Sequence, residues 1–147
     1  MANNAYWYNN ALFQAFKQTL DLENDNLEVL LVDTNYTFDP THINVSQITN
    51  EVTNNVGTGY ARKTVANFSI TKDDVNDKVT FDCDNVNYTA INTVEDLRAK
   101  ILYKKVTNDA DSVLIGYFQG TVLPTNGSDL QVVIDAQGLA DVLNTTP

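Results

Sequence analysis

Two single residues of this chain could in principle carry chemistry, its only histidine and its only cysteine. His42 lies in a polar loop, and a general base or metal ligand would need a nucleophile or carboxylate within about 3 Å. We therefore expect a surface or loop-packing histidine. Cys83 shares an alternating strand face with Val79 and Phe81, which predicts a buried and unreactive thiol. One Cys and one His exclude an internal disulfide and a Cys/His zinc site.

Carboxylates are the next candidates, because they are concentrated in three acidic stretches, at residues 21–25, 73–77 and 82–84. An EF-hand loop starting at Asp21 fails, since its sixth and twelfth positions hold Asn26 and Val32 instead of glycine and glutamate. The favoured interpretation is solvated acids that form turns. The alternative is a calcium site built from three carboxylates of the second stretch, Asp73, Asp74 and Asp77. Paired carboxylates also serve glycoside hydrolases, but the sequence shows neither their separation nor a pocket.

Two further sets of side chains are of the kind that contacts a partner. Tyr6, Trp7 and Tyr8 form an aromatic triple, and such rings are enriched at interfaces and also in lids over a domain's own core. A helix buries one stripe of its surface, so we expect at least one of the three to be free to anchor a neighbour. Four of the nine basic residues fall close together, namely Arg98, Lys100, Lys104 and Lys105. This basic stretch either meets an acidic partner surface or protects a strand edge from aggregation.

The composition narrows the class of protein. With 147 residues, we expect a single domain over residues 1–147. The net charge of −10 opposes binding to nucleic acid and to an anionic membrane. The chain lacks both an apolar run of about 20 residues and the start of a signal peptide, so we expect no membrane span and no export. Its 19 Asn and 17 Thr favour turns and solvent-facing strand positions.

The elements that must position these side chains begin with a predicted helix over residues 5–20. Apolar residues recur there at three- and four-residue steps, at Tyr8, Leu12, Ala15, Phe16 and Leu20. The run Leu27–Val32 indicates a strand buried on both faces. The segment Val45–Val52 is predicted to contain one or two helical turns that Asn44 or Ser46 caps.

The sequence predicts a β-rich body over about residues 27–138, followed by a short C-terminal tail. Gly57-Thr-Gly-Tyr60 predicts a turn with positive φ at one or both glycines, followed by a strand that reaches Ile70. A hairpin return over residues 79–83, a short strand over 85–90 and a second hairpin, residues 98–106 with 113–118, follow. The last predicted strand runs from Leu130 to Ala136. Six side chains are predicted to be core: Leu30, Val32, Phe81, Ile101, Ile115 and Ile134. The predicted fold is mainly β, an antiparallel β-sandwich or flattened barrel with one N-terminal α-helix packed against it.

A set of short motifs, taken in their order along the chain, resembles the pattern of a known protein family. The motifs are Phe13 with Phe16, Asp21-Leu22, the strand Leu27–Asp33, Tyr36-Thr37, His42, residues 48–52, Gly57–Tyr60, residues 78–82, residues 84–88, Ile101–Tyr103, Leu114–Tyr117, Thr125–Gly127 and Asp135–Gly138. In this order, over about residues 10–138, they resemble a family of small tailed-bacteriophage structural proteins. Two departures are Ala61-Arg62-Lys63 directly after the glycine turn and Tyr88 at a position where the family often has tryptophan.

The resemblance implies a virion protein without catalytic residues or cofactors, assembled in the host cytoplasm. Its partners would be the major capsid protein or other virion proteins, with several copies of the chain on one particle. The first hypothesis is a capsid decoration protein that binds the outside of the head and stabilises it. The alternatives are a tail, neck or head-fibre structural protein and, from a different class, a carbohydrate-binding module that uses exposed aromatic residues and acidic loops.

Overall fold

The computed structural model describes residues 4–53 and 57–132, and the backbone of residues 140–143. Its helical elements are α1 (Asn9–Phe16) and a 3-10 helix (Val45–Gln47). The strands are β1 (Asn4–Trp7), β2 (Leu27–Asp33), β3 (Lys63–Thr64), β4 (Ser69–Asp73), β5 (Lys78–Asp82), β6 (Val86–Tyr88), β7 (Leu97–Lys104), β8 (Val113–Leu123), β9 (Leu130–Val132) and β10 (Ala140–Leu143).

The strands form three antiparallel sheets. The largest has the order β1-β8-β7-β2-β3, and the two smaller ones are β10-β5-β4 and β6-β9. Both predicted hairpins are present, because β4 pairs with β5 and β7 pairs with β8. The predicted fold class, mainly β with antiparallel sheets packed together and one helix, is therefore confirmed.

Strand β2 lies inside the large sheet and is covered on both faces. Leu30 and Val32 belong to one core, whereas Val29 and Leu31 belong to a second core on the other side of the strand. The first core receives side chains from α1 and from β7 and β8, and the second is closed by β6 and the segment around Tyr60. The continuous apolar run of β2 therefore has the burial predicted for it.

The predicted core residues are mostly where they were expected. Leu30, Val32, Ile101 and Ile115 have no exposed surface. Phe81 lies in β5 of the three-stranded sheet. It is half-buried and packs against the edge of the first core, so it is peripheral instead of central. Ile134 lies outside the described residues.

The N-terminal helix is shorter than the predicted range of residues 5–20. Asn4–Trp7 forms β1, which pairs with β8 so that Tyr6 faces Tyr117. Adjacent aromatic residues suit a pleated surface, and the free edge of β8 supplies hydrogen bonds that a first helical turn would lack. The helix α1 then ends at Phe16, and Gln18 has a left-handed φ of 60°.

Smaller differences have local causes. The strand predicted to lead to Ile70 begins only at Ser69, because Asn67 has a φ of 52° that interrupts the extended backbone. The 3-10 helix is closed by the Gln47 side chain, which accepts a hydrogen bond from the Asn44 backbone N–H at 3.0 Å. Strand β10 pairs with β5 within the stretch expected to be a tail. The predicted strand from Leu130 is described only as far as Val132.

The turn at residues 57–60 allows a matched stability test. Gly57 and Gly59 have φ values of 88° and 68°, which confirms the expected positive φ. A Cβ at Gly59 would come under 3.0 Å from the backbone oxygens of Thr89 and Ala90, whereas a Cβ at Gly57 meets nothing within 4 Å. Gly57→Ala should cost about 1 kcal/mol for the left-handed backbone. Gly59→Ala should cost about 3 kcal/mol, because overpacking adds to that strain.

Urea unfolding of both variants measures the two losses. Equal losses for Gly57→Ala and Gly59→Ala would show that the close approach of Gly59 to the backbone near Ala90 does not exist in solution.

Candidate functional site

The three N-terminal aromatic residues differ in burial, and the difference follows their distance from the end of the chain instead of the alternation of strand faces. Tyr8, which lies between β1 and α1, is fully buried. Trp7 is half-buried, with its ring 5.0 Å from that of Phe81 and 6.1 Å from that of Phe118. Tyr6 keeps 43% of its surface exposed. Of the aromatic triple, Tyr6 is therefore the ring that a partner can reach most easily.

Helix α1 exposes its largest apolar side chains instead of burying them. Leu12, Phe13 and Phe16 are 42%, 60% and 88% exposed. At about 100° per residue they fall within one arc of the helix, and we call this surface the α1 apolar face. The helix contacts the sheet through the opposite side, which carries the buried Ala11. Of the apolar residues at helical spacing, Tyr8 and Leu20 are therefore buried, whereas Leu12, Ala15 and Phe16 are exposed.

The α1 apolar face is also free of carboxylates. The residues of α1 carry no charge, and Lys17 is the only charged side chain among the first twenty residues. The Lys17 Nζ lies 5.1 Å from the centre of the Phe13 ring, a cation–π contact at the border of the face. In a chain of net charge −10, a partner can cover these side chains without burying an acidic residue of the helix itself.

A second surface opens beside Tyr6, where rings from three parts of the chain meet. The Tyr6 ring lies 5.4 Å from Phe38, and Phe38 stacks on Tyr117 at 5.2 Å and 24°. Tyr36 lies 5.6 Å from Tyr117 and shares a 2.8 Å hydroxyl contact with Tyr8. Together with polar side chains, these rings line an open groove of about 520 Å³, formed by Tyr6, Thr34, Tyr36, Thr37, Phe38, Arg98, Tyr117 and Gln119. We call it the aromatic groove.

Arg98 supplies the positive charge of the aromatic groove. The register of β7 against β8 shifts between Leu97 and Ala99, and such a bulge redirects the intervening side chain. Burial raises the pKa of the Tyr117 hydroxyl, while a hydrogen bond with Arg98 acts in the opposite direction. Among the described residues, no carboxylate forms an ion pair with Arg98. The groove thus unites two of the predicted interface residues, Tyr6 and Arg98.

The other three basic residues of the predicted stretch do not share this groove. Lys100 is half-buried, and burial lowers its pKa. The Lys104 Nζ lies 2.8 Å from an Asp25 carboxylate oxygen, and the Lys105 Nζ lies 3.1 Å from one of Glu28. A role for these lysines at an interface stays a prediction, but two of them already hold internal ion pairs.

Arg62 forms the best-satisfied polar cluster of the described chain. Its guanidinium donates to Glu51 at 2.8 and 2.6 Å and to Asp109 at 2.6 and 2.9 Å. These hydrogen bonds, with Glu51 the larger contributor, raise the pKa of Arg62. The Tyr60 hydroxyl donates to the same Glu51 carboxylate at 2.7 Å. This Arg62 clamp holds three loops together and was not foreseen, because its members are far apart in sequence.

His42 packs in a loop as predicted, whereas Cys83 is half-buried instead of buried and lies directly after β5. His42 is half-buried in its loop, with Nε2 3.7 Å from an Asp39 oxygen. Cys83 packs against the first core, and burial raises the pKa of its thiol to about 11. A thiol with this pKa is protonated at neutral pH and is a poor nucleophile.

The acidic stretch that could have held calcium is a hydrogen-bonded turn. The Asp73 carboxylate accepts hydrogen bonds from the backbone N–H groups of Val75 and Asn76 at 3.0 and 3.1 Å. These bonds, after one from the Asn76 side chain, lower the pKa of Asp73. Within residues 4–53 and 57–132, no three His, Cys, Asp or Glu side chains converge in a way that could hold a metal ion.

Sequence reasoning missed most of the aromatic groove. Tyr36 and Phe38 follow the end of β2, and Tyr117 lies in the middle of β8. The available signal was a period-two pair of aromatic residues directly after a buried strand. Nothing in the sequence indicates that this pair meets Tyr117.

Comparisons of the chain with known protein families, with curated proteins and with solved structures found no match. None of the helices in the part of the chain that the structure describes is long and apolar enough to cross a membrane. The functional inference therefore depends on the surfaces described above and on the resemblance of the sequence motifs.

Acid should weaken the Arg62 clamp. A hydrogen bond from Arg62 holds the pKa of Asp109 below its usual range. A depressed folded-state pKa adds stability that is complete above the unfolded pKa of about 3.9 and is lost as the pH falls through the folded value. Asp109→Asn should lower the unfolding free energy at pH 7 by about 1 kcal/mol. It should also reduce the loss of unfolding free energy as the pH falls below the unfolded pKa, because the titrating carboxylate is gone.

Asp96→Asn is the control, since Asp96 is exposed and has no hydrogen bond or ion pair to any described residue. Urea unfolding between pH 2 and 7 compares the two variants with the natural chain. If the unfolding free energy fell equally with decreasing pH in all three proteins, the ion pair of Asp109 with Arg62 would not contribute to stability as predicted.

Proposed function

We propose that this chain is a capsid decoration protein, a non-enzymatic domain that binds the outer surface of an assembled bacteriophage head and stabilises it. Its partners are the major capsid protein or neighbouring virion proteins, and many copies occupy one particle. The order of the sequence motifs supports the virion class. The α1 apolar face is the observation that carries the proposal of a protein-binding surface.

The exposure of Phe13 and Phe16 favours a protein partner. Moving a phenylalanine side chain from water into a packed interface contributes about 1.5–3 kcal/mol. Phe16, at 88% exposure, receives almost none of this stabilisation from its own chain. Two adjacent phenylalanines with Leu12 therefore make a compact apolar anchor of the kind that dominates protein interfaces.

Binding to the assembled head is sufficient to stabilise it. A protein that binds the lattice but not free capsid subunits contributes about RT ln(1 + [L]/Kd) per occupied site. The charge of the chain helps to keep free copies from associating with one another, because copies with a net charge of −10 repel each other in solution at low salt. The uncharged α1 apolar face offers a contact that this repulsion does not oppose directly.

A position in the tail, neck or head fibre is the second candidate within the virion. The apolar anchor would serve equally well there, so copy number decides between the two. Quantitative mass spectrometry of purified virions should find hundreds of copies per particle if the chain decorates the head. A count of a dozen or fewer would favour the tail or neck.

The contact itself can be tested with Phe13→Ser/Phe16→Ser. We expect at least a tenfold loss of affinity for heads from which the chain has been removed, since two anchor side chains are truncated. The unfolding free energy should change by less than about 0.5 kcal/mol, because both rings are exposed. Occupancy is measured by cosedimentation with the heads over a range of protein concentrations.

Val94→Ser is the matched control, because Val94 is 87% exposed and lies far from α1 in the sequence. It should bind like the natural chain. Natural affinity in the double variant would exclude the α1 apolar face as the contact.

A further inference from the structure

We propose that the aromatic groove binds a saccharide that carries a carboxylate, such as a uronic or sialic acid residue. This inference is independent of the proposed capsid function, because it concerns a different surface. It depends on three features of the groove: accessible ring faces, hydroxyl and amide groups at its border, and a guanidinium that pairs with no carboxylate of residues 4–53 or 57–132.

The rings provide a platform for a sugar. A pyranose presents a face of C–H groups, which pack favourably on the electron-rich face of an aromatic ring. Tyr6 is 43% exposed and Phe38 is half-buried, and their rings lie 5.4 Å apart at an angle of 33°. Tyr117 is buried beneath them and supports Phe38 by stacking. The platform is therefore held in place before any ligand arrives, which reduces the entropic cost of binding.

The border of the groove offers hydrogen-bonding groups for sugar hydroxyls. Thr34 and Thr37 are exposed, and their side chains form no hydrogen bond with any described residue. The Gln119 side-chain oxygen has a single long contact of 3.5 Å with the Tyr117 hydroxyl, so its amide group is available. The volume of about 520 Å³ lies within the range of small-ligand sites and accommodates one or two sugar rings.

Arg98 is the reason why the proposed ligand carries a negative charge. A guanidinium binds a carboxylate through two parallel hydrogen bonds, and this geometry is specific for planar oxyanions. The chain has 19 acidic and 9 basic residues, yet no described carboxylate pairs with Arg98. The Asp39 carboxylate, which is near enough to raise the pKa of Tyr36, already accepts hydrogen bonds from Thr41 at 2.9 and 2.7 Å.

The net charge of −10 restricts the ligand to a small anion. Repulsion by distant acidic residues is screened beyond about 8 Å at physiological salt, whereas the contact with Arg98 is short-ranged. A nucleic acid or another extended polyanion would also approach the acidic residues elsewhere on the chain. A proline-rich peptide fits aromatic grooves as well, but it makes no use of the guanidinium.

The test uses the full chain and two pairs of probes. Trigalacturonate and sialyllactose are each compared with their methyl esters, in which the sugar is retained and the negative charge is removed. Amide chemical shifts followed by NMR should move around Tyr6, Phe38 and Arg98 as the acid is added. The ester should bind about tenfold more weakly, the typical loss when a charged hydrogen bond is removed.

Three variants assign the contributions. Arg98→Gln should weaken binding of the acid about tenfold and leave binding of the ester unchanged. Tyr6→Ala should weaken both, because it removes part of the platform. Lys72→Gln is the control for loss of one positive charge, since Lys72 is exposed on β4 and should not affect either probe.

The proposal can be tested even if a variant fails to fold, because the comparison of acid with ester uses the natural chain. No shift near the groove with either acid at 20 mM would overturn the proposal. Equal affinity for acid and ester, or binding of a polyproline peptide without binding of either sugar, would overturn it as well.

Discussion

The pairing of β1 with the outer edge of β8 is the interaction on which both candidate surfaces depend. Trp7 faces Gly116 in this pairing, and a Cβ at Gly116 would come under 3.0 Å from the Phe118 ring. The glycine therefore leaves room for two large rings on one face of the sheet. With Trp7 held there, Tyr6 must project to the opposite face, beside Tyr117.

The same pairing determines where helix α1 lies. The buried Tyr8 directly precedes the helix, and its backbone N–H donates to the Ile115 carbonyl of β8 at 3.1 Å. The next residue, Asn9, donates to the carbonyl of Pro40 at 2.9 Å. The start of the helix is thus attached through its backbone to β8 and to the loop that contains Pro40. This attachment positions the helix without burial of its large side chains, which is why Phe16 can remain exposed.

Much of the fold was predictable from the sequence, because local patterns matched the final environment. The run Leu27–Val32 is apolar at every position but Glu28 and is covered on both faces, and the hairpins follow their turn residues. The beginning of the chain was not predictable in this way, since Tyr8, Leu12 and Phe16 fit the helical period equally well with or without β1. Only the free edge of β8, a feature of the assembled sheet, favours the strand.

The aromatic groove could not be predicted for a related reason. Its rings come from β1, from the loop after β2 and from β8, and chain order alone does not bring them together. Arg98 joins them through a bulge, and the neighbouring pattern of β7 gives no sign of that irregularity.

The two surfaces would recognise their partners on a different physical basis, although β1 and α1, which contribute to them, are consecutive in the chain. The residues of the α1 apolar face carry no charge, so the proposed contact with a capsid would gain its affinity from burial of hydrocarbon, which salt strengthens slightly or leaves unchanged. The aromatic groove combines ring faces with one guanidinium, so the proposed binding of an anion would include a short-range electrostatic part. Because Phe16 and Tyr6 belong to different elements, occupation of one surface does not require the side chains of the other. A chain attached to a particle through α1 could therefore keep its aromatic groove open to solvent.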